Sequence, residues 1–535
     1  VSDLLVVGSG ASGVHFALTA LQRGHAVTLL DVGYPRPEIP APEAAFPDLT
    51  EALDDPAAWF LGPEGERVVY PGNASSYYGH PPSKDYVFRA APGTPTRSEA
   101  MAPLFTFARG GFAEAWTAGC YAFSPEDLAD TPLSYDDLRP HYQEVARRIG
   151  IGGVEDDLAP FLPFDAEYLP PLPLDAHSAH LARRYARRRT VLNRRHRFFL
   201  GRSRVATLTA DREGRGACSQ LGRCLWGCPS RSIYAPSQTL EQCETFPGFR
   251  YRPGLLVRRF EYDGDGRIGQ VHAQPVDGGP LCSFTADAVI LAAGALGSSR
   301  IVLESLAHRT GAAPRLPGLM DNRQIHLPFL TPGMLGSSPE LAAYQFHHLA
   351  FAVARARATD HVHGQITTLK AASVHPILAG IPGDLRSALR LFHGVRSSLG
   401  IANVNLHDTR RSSSYLTLDP PGDGAPRLVV RYDPDPGEPA RMTATIRDVR
   451  RALRRLGSWV LPGLVRVLPM GASVHYAGTL PMTTDPTPLA VDPGCRSWDF
   501  PNLYVVDGAV LPKLPAKNLT FTLMANAVRV ATTAF

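Results

Sequence analysis

Residues 3–31 read DLLVVGSGASGVHFALTALQRGHAVTLLD, and this stretch decides the fold. An apolar run, Leu4 to Val7, ends in Gly8-Ser9-Gly10-Ala11-Ser12-Gly13. A helical pattern follows through Val14, Ala17, Leu18 and Leu21, then the turn Arg23-Gly24 and a second apolar run, Ala26 to Leu30, closed by Asp31. Each part has a physical role in gripping a dinucleotide. Gly8 permits the tight turn out of the strand, and Gly10 lets backbone N–H groups approach a pyrophosphate. Gly13 lets the helix sit close on the sheet, and the helix N-terminus turns its positive dipole end, at Ala11 and Ser12, to the anion. Asp31 ends the second strand, where a carboxylate accepts from a ribose hydroxyl. Strand, turn, helix, strand and acid fall at the spacing of a dinucleotide site. The competing reading is a strand-helix-strand unit whose turn is only structural.

Outward from this stretch, 535 residues exceed the usual single domain, so two domains or one large composite are expected. An apolar fraction of 44% with 19% charged residues fits a globular protein with a sizeable core. The formal net charge of +4 is small, and no basic block interleaves with aromatics, so nucleic acid is not an expected partner. No apolar run is long enough to span a bilayer. The first strand begins within two residues of the numbering, no signal peptide is visible, and a cytoplasmic setting is expected. The 7 cysteines are few and odd in number, which argues against a disulfide framework.

Tyr34 to Arg97 is rich in proline, glycine and aromatics and reads as long ordered loops, because Trp59, Phe60, Tyr77, Tyr78 and Tyr86 need burial. In 107–117 (FARGGFAEAWT), paired glycines beside small residues and Trp116 suit a backbone pressed against a flat ring, or a glycine turn beside a core tryptophan. Residues 131–151 read as a helix capped by Ser134, with Asp136 and Asp137 in its first turn and Leu138, Tyr142, Val145 and Ile149 on one face. The basic run Arg183–Arg197 reads first as a solvated face and second as a site for an anionic partner. Cys218, Cys224 and Cys228 form the only cysteine cluster: a loop of free thiols, or ligands of an iron–sulfur centre with Cys243 as a fourth, on a spacing unlike common zinc or ferredoxin motifs.

Residues 249–275 alternate as strands about an Asp263-Gly264-Asp265-Gly266 turn. Residues 288–303 give a buried strand, a glycine turn at Ala293-Gly294 and a helix, as expected of a strand returning to the nucleotide sheet. From 311 to 470, strands at Tyr344–Val353, Val362–Leu369, Leu399–Leu406, Tyr415–Leu418 and Arg427–Tyr432 precede a helix after Glu438 with Met442, Ile446, Val449, Leu453 and Leu456 on one side. That is a sheet backed by helices.

The last sixty residues carry Ser473-Val474-His475-Tyr476-Ala477-Gly478-Thr479, then Asn502–Ala509 ending in Asp507-Gly508, then Pro515-Ala516-Lys517-Asn518-Leu519-Thr520 and a final helix to about Ala531. With both ends and the 107–117 and 288–303 segments taken together, the chain resembles the glucose-methanol-choline (GMC) flavin oxidoreductases, and within them the pyranose oxidase and bacterial sugar dehydrogenase branches. The resemblance implies an α/β fold, α+β overall: a discontinuous Rossmann-like FAD-binding domain (1–50, 98–150, 245–310, 476–535) and a substrate-binding domain on a largely antiparallel sheet (51–97, 151–244, 311–475). It implies oxidation of an alcohol on a sugar-like, amino-sugar or other polyol substrate by hydride transfer to flavin N5, with His475 as base and Asn518 as its partner. An imidazole with a pKa near working pH takes the hydroxyl proton, and Asn518 holds the C–H toward the flavin. The alternative reading of His475 is a satisfied core histidine.

The resemblance assigns to FAD, besides Gly8, Gly10, Ala11, Ser12, Gly13 and Asp31, the residues Arg109, Gly110, Gly111, Ala115, Trp116, Val257, Ala293, Gly294, Asp507, Gly508, Asn518, Leu519 and Thr520. A histidine before the tryptophan binds flavin covalently in the pyranose oxidase branch; here that position is Ala115, so non-covalent FAD is expected. The Cys218–Pro229 segment is similar to the cluster-bearing segment of bacterial sugar dehydrogenases, though its spacing fits only in part, and no metal ligand is assigned. The electron acceptor, oxygen or external, is left open. A lyase of this fold that keeps FAD without net redox turnover is the rival class.

Overall fold

The protein is described by a computed structural model covering all residues except 1, 39–42, 63–80, 164–166, 373–374, 376, 379–380, 382 and 420–424; Tyr77 and Tyr78 thus lie outside the described residues. The opening stretch forms β1 (Asp3–Val7), α1 (Ala11–Gln22) and β2 (Ala26–Leu30). β1 runs parallel to β2 on one side and to β4 (Ala288–Leu291) on the other, with Leu4 opposite both Val27 and Ala288. β3 (Phe249–Arg252) and β9 (Leu503–Val505) complete a five-stranded parallel sheet in the order β9-β4-β1-β2-β3. Its strands therefore come from both ends and the middle of the chain. β1 and β4 are almost wholly apolar and buried, the pattern of a parallel sheet covered on both faces. The C-terminal helix α3 (Thr520–Thr533) packs on α1, with Phe16 edge-on to Phe535 at 5.7 Å.

A second, antiparallel sheet stands apart in the topology. Its principal strands are β5 (Arg323–Leu330), β6 (Leu349–Val353), β7 (Val362–Thr368) and β8 (Leu399–Leu406), in the order β5-β8-β7-β6, with Phe198–Arg202 on the β6 edge. Side chains alternate between faces along each strand. Ile325, Val404, Ile366 and Phe351 turn to one face and pack with Leu181 and Leu192 of helix Ala176–His196 and Val449 and Leu453 of helix Glu438–Arg455. Two smaller sheets are also present: Leu255–Tyr262, Ile268–Pro275 and Cys282–Phe284 form one, its hairpin turning at Asp263–Gly266 as expected.

Helix Tyr135–Ile149 begins in a reciprocal capping box, Ser134 Oγ accepting from Asp137 N at 3.2 Å and Asp137 accepting from Ser134 N at 2.8 Å. Its expected apolar face, Leu138, Tyr142, Val145 and Ile149, is buried. The strand expected from Tyr344 starts only at Leu349: Gln345 N donates to Cys224 Sγ, and His348 Nε2 meets Tyr344 O at 3.3 Å, so the chain bends there. Arg187, Arg188, Arg194 and Arg195 of the basic run are exposed on helix Ala176–His196, the solvated face. Among the described residues no helix is long and apolar enough to cross a membrane.

Candidate active site

A cavity of about 1440 Å³, its open mouth included, lies at the C-terminal ends of β1 and β4. Three helices present their N-termini to it: α1 at Gly10-Ala11-Ser12, α2 (Ala295–Thr310) at Gly294-Ala295, and α3 at Leu519-Thr520. None of the three carries a side-chain cap. Free N–H groups and positive dipole ends thus converge on one space, as a pyrophosphate and an electron-rich ring require. The glycines divide by role. A Cβ on Gly13 would lie 2.0 Å from Gly8 O, so the helix can approach the turn only without one, whereas a Cβ on Gly10 or Gly294 would meet nothing within 4 Å. Gly10 leaves a gap on the wall where the dinucleotide turn needs clearance.

Asp31, at the end of β2, also lines the cavity and accepts from Ser9 Oγ, which in turn accepts from Gly110 N at 2.9 Å. Burial raises its carboxyl to about 6, against the pull of the Ser9 and Tyr251 hydroxyls. Asp507, past β9, is raised by burial to about 6 and accepts from Ser298 Oγ at 2.5 Å and Ala509 N at 3.0 Å. These residues fit an adenosine ribose at one end and a polar chain at the other.

Of the expected cofactor set, Gly8, Gly10, Ala11, Ser12, Asp31, Gly111, Val257, Ala293, Gly294, Asp507, Gly508, Leu519 and Thr520 line the cavity. Gly13 lies behind the wall, under Gly8. Arg109 pairs with Glu244 at 2.9 Å and lies over the Tyr251 ring, so it and Gly110 brace the wall from outside. Ala115 and Trp116 border a smaller pocket shared with Cys224 and Cys228, and Trp116 Nε1 donates to Tyr234 O at 2.8 Å. Arg258, Arg300 and the run Leu104–Ala108 also line the main cavity. Phe107 and Ala108 belong to the segment read as pressed against a flat ring; an arginine in a strand or helix pattern and the aperiodic loop 104–106 carry no signal of what they face.

His475 and Asn518 sit off this wall, toward the antiparallel sheet. Val474, before the histidine, is a β-branched residue held at φ 54°, a conformation such residues avoid. The bend is fastened by Asp321, which accepts from Gly471 N at 2.5 Å and from Ser473 Oγ; His475 N donates to Ser473 Oγ at 3.0 Å. His475 Nδ1 lies 2.9 Å from Asn322 Oδ1. Asn322 Nδ2 donates to Leu406 O at 2.8 Å and Pro515 O at 3.0 Å, which fixes its amide with the oxygen toward the imidazole. That network places the ring proton on Nδ1 and leaves a lone pair on Nε2. Burial lowers His475 to about 4. Asn518 Oδ1 accepts from Gln365 Nε2 of β7 at 3.1 Å. Asn322 went unnoticed in the sequence because nothing local marks it; its partners lie 84 to 193 residues away.

The cysteine loop carries free thiols at Cys218, Cys224 and Cys228. Burial alone would push Cys228 up, but its contacts with Ser230 Oγ and Ser232 Oγ, at 3.4 and 3.1 Å, outweigh this and hold it below the usual thiol value. Cys243 is buried against Val14 O. Among the described residues no three His, Cys, Asp or Glu side chains are arranged to hold a metal ion.

Comparison with known proteins bears on the class. Residues 410–527 match the GMC oxidoreductase family model. The chain is 25% identical to 2-methyl-1,2-propanediol dehydrogenase of Mycolicibacterium austroafricanum, over 99% of this chain and 94% of that protein. It is 24% identical to paromamine 6'-oxidase of Streptomyces fradiae, over 99% and 91%. The crystal structure of pyridoxine 4-oxidase from Mesorbium loti shares the fold at a TM-score of 0.60 and 17% identity, covering 99% of this chain and 98% of that one. Fold, cavity and relatives define an FAD-dependent oxidoreductase acting on CH–OH donors. Within that class its similarity is to the glucose-methanol-choline oxidoreductases, the family matched by its C-terminal part.

Proposed function

We infer that the substrate is a hydroxyl-rich molecule, sugar-like or another polyol, bound between the cofactor cavity and the antiparallel sheet, with His475 as general base and Asn518 as its orienting partner. The observation that carries this reading is the Asn322–His475 contact. It leaves Nε2 unprotonated and hydrogen-bond competent while burial holds the ring neutral. His475 Nε2 takes the hydroxyl proton; the carbinol C–H departs as hydride and C=O forms. The chemistry that FAD supplies when bound is acceptance of that hydride. Asn518, its oxygen engaged by Gln365, has its N–H groups to donate to the same substrate oxygen. The α3 N-terminus, at Leu519 and Thr520, favours negative charge where the cofactor ring would lie.

The residues 1–50, 98–150, 245–310 and 476–535 form the FAD-binding domain in this reading, and the remainder the substrate domain. Ala115 offers no nucleophile for a covalent flavin link. Two relatives, named for a diol and for paromamine, support a polyhydroxylated substrate. Anaerobic mixing of the FAD-loaded protein with a panel of alcohols and sugars tests it: bleaching of the flavin band is expected. A panel that leaves the band intact throughout refutes the reading. Repeating productive mixtures in air and with an artificial acceptor assigns the reoxidant.

A further inference from the structure

The antiparallel sheet has an apolar face on its helices and, opposite it, a face of a different kind. Register places Gln324, Asn405 and His363 side by side across β5, β8 and β7, and two residues along, His326, Asn403 and Gln365. All six side chains are polar, and all share the face that carries Gln365 to Asn518. Asn322, which grips His475, immediately precedes the strand that carries Gln324 and His326. Most of the face is shielded from solvent: Asn405 is 1% exposed, His363 4% and Gln365 4%, while His326 and Asn403 are half-buried.

Buried polar groups are normally paired, and the cost of leaving one unpaired is large enough that exceptions call for a cause. Here Asn405 Oδ1, Asn403 Oδ1 and His363 Nε2 have no hydrogen-bond partner among the described residues. Three unpaired groups in adjacent positions, beside the candidate base and its partner, describe a surface awaiting polar atoms from a ligand. None of the six bears charge at neutral pH, since burial holds His326 at about 4 and His363 well below its usual value. The acids at the strand ends are already engaged: Asp321 by Gly471 N and Ser473 Oγ, Asp408 by Tyr432, Arg411 and Asp321 N.

We propose that these two cross-strand rows form the substrate floor and select an uncharged polyol over a protonated amino sugar. The inference rests on the alcohol-oxidising reading above and narrows its substrate class. Amides and neutral imidazoles both donate and accept, which matches hydroxyl groups. Among the described residues no unengaged carboxylate faces these rows, and Lys517, which acts on His363, is itself paired with Asp127; an ammonium buried here would be an unpaired charge, far costlier than an unpaired hydroxyl.

The test compares matched pairs, glucose with glucosamine, galactose with galactosamine and sorbitol with glucamine, by anaerobic flavin reduction and by the spectral perturbation each causes on binding. At pH 6, where the amines are protonated, the neutral member of each responding pair is expected to reduce the flavin with at least tenfold higher efficiency. Asn405→Asp, or Gln324→Glu should the first variant fail to fold, is expected to invert that preference. Equal or better use of the amino partner by the unaltered protein overturns the proposal. Reduction by simple apolar alcohols with no response to any sugar overturns it too, while leaving the alcohol-oxidising reading intact. If nothing bleaches the flavin, that reading fails by itself, and the binding perturbation still decides between neutral and amino sugars; no perturbation by any sugar counts against the floor.

Discussion

The two large sheets bury themselves by opposite means. β1 and β4 of the parallel sheet are apolar on both faces, and ligand contacts come from the loops and helix N-termini beyond its strand ends. The antiparallel sheet buries one apolar face on helices and carries on the other a patch of six polar side chains between two apolar clusters. In the proposed reading the cofactor is approached mainly by backbone, the substrate by side chains. Backbone recognition demands glycine at fixed spacing; side-chain recognition demands only that polar residues meet across strands, wherever they lie in sequence.

The sharpest way to break this contrast is at the side chain proposed as the base. His475→Ala is expected to retain FAD, since the residue lies off the cavity wall, yet to lose about 10²- to 10⁴-fold in the rate of flavin reduction. Stopped-flow reduction beside the flavin-to-protein absorbance ratio checks both halves. A variant that reduces flavin at the original rate leaves His475 a satisfied core histidine. Asn322→Asp comes next. It keeps an acceptor for Nδ1 but forfeits the N–H bonds to Leu406 O and Pro515 O and sets a negative charge beside the imidazole. A roughly tenfold to hundredfold rate loss is expected, as for other groups that orient a functional histidine, with the acid limb of the rate profile moved to higher pH. Lower stability with an unmoved limb would make Asn322 structural only.

Much of the cofactor half was legible for the reason the comparison gives. Gly8 and Gly13 are where they are because a Cβ at either would strike backbone, and such constraints leave a mark at a fixed interval. Strand limits in the antiparallel sheet were also close, Leu399–Leu406 matching outright. What stayed hidden was contact across the chain. The alternation Gln324-Ile325-His326 says only that one face is polar. That this face is buried, and that Asn403 and Gln365 flank it, follows from register with strands about 40 and 80 residues away. Val474's left-handed backbone leaves no sequence trace at all, since valine is the last residue one would place there.

A smaller, purely steric effect sharpens the backbone side. Gly13→Ala puts a methyl 2.0 Å from Gly8 O, and backbone cannot step aside as a flexible side chain would. Helix α1 must shift, at a cost of about 1 to 3 kcal/mol, with partial loss of FAD measured after gel filtration. Gly10→Ala, whose methyl meets no protein atom within 4 Å, is expected to spare apo stability and weaken FAD binding alone. Equal thermal stability of the two apo variants would dissolve the distinction between a packing glycine and a clearance glycine.

The pH profile carries the gentlest effect. An imidazole free in water titrates near 6.5, and burial moves His475 to about 4 by penalising its charged form. With the neutral ring as the proposed base, activity is expected above the folded-state value and falls as pH drops through it. Flavin reduction is therefore expected to stay level from pH 8 down past 6 and to decline only near 4. Folding responds over a wider window. The unfolded histidine binds its proton near 6.5 while the folded one resists until about 4, so stability due to this residue is full above 6.5 and drains between those limits. A rate that halves near 6.5 would mean that water reaches the ring in the working enzyme, and that its Asn322-bound, desolvated setting opens before catalysis.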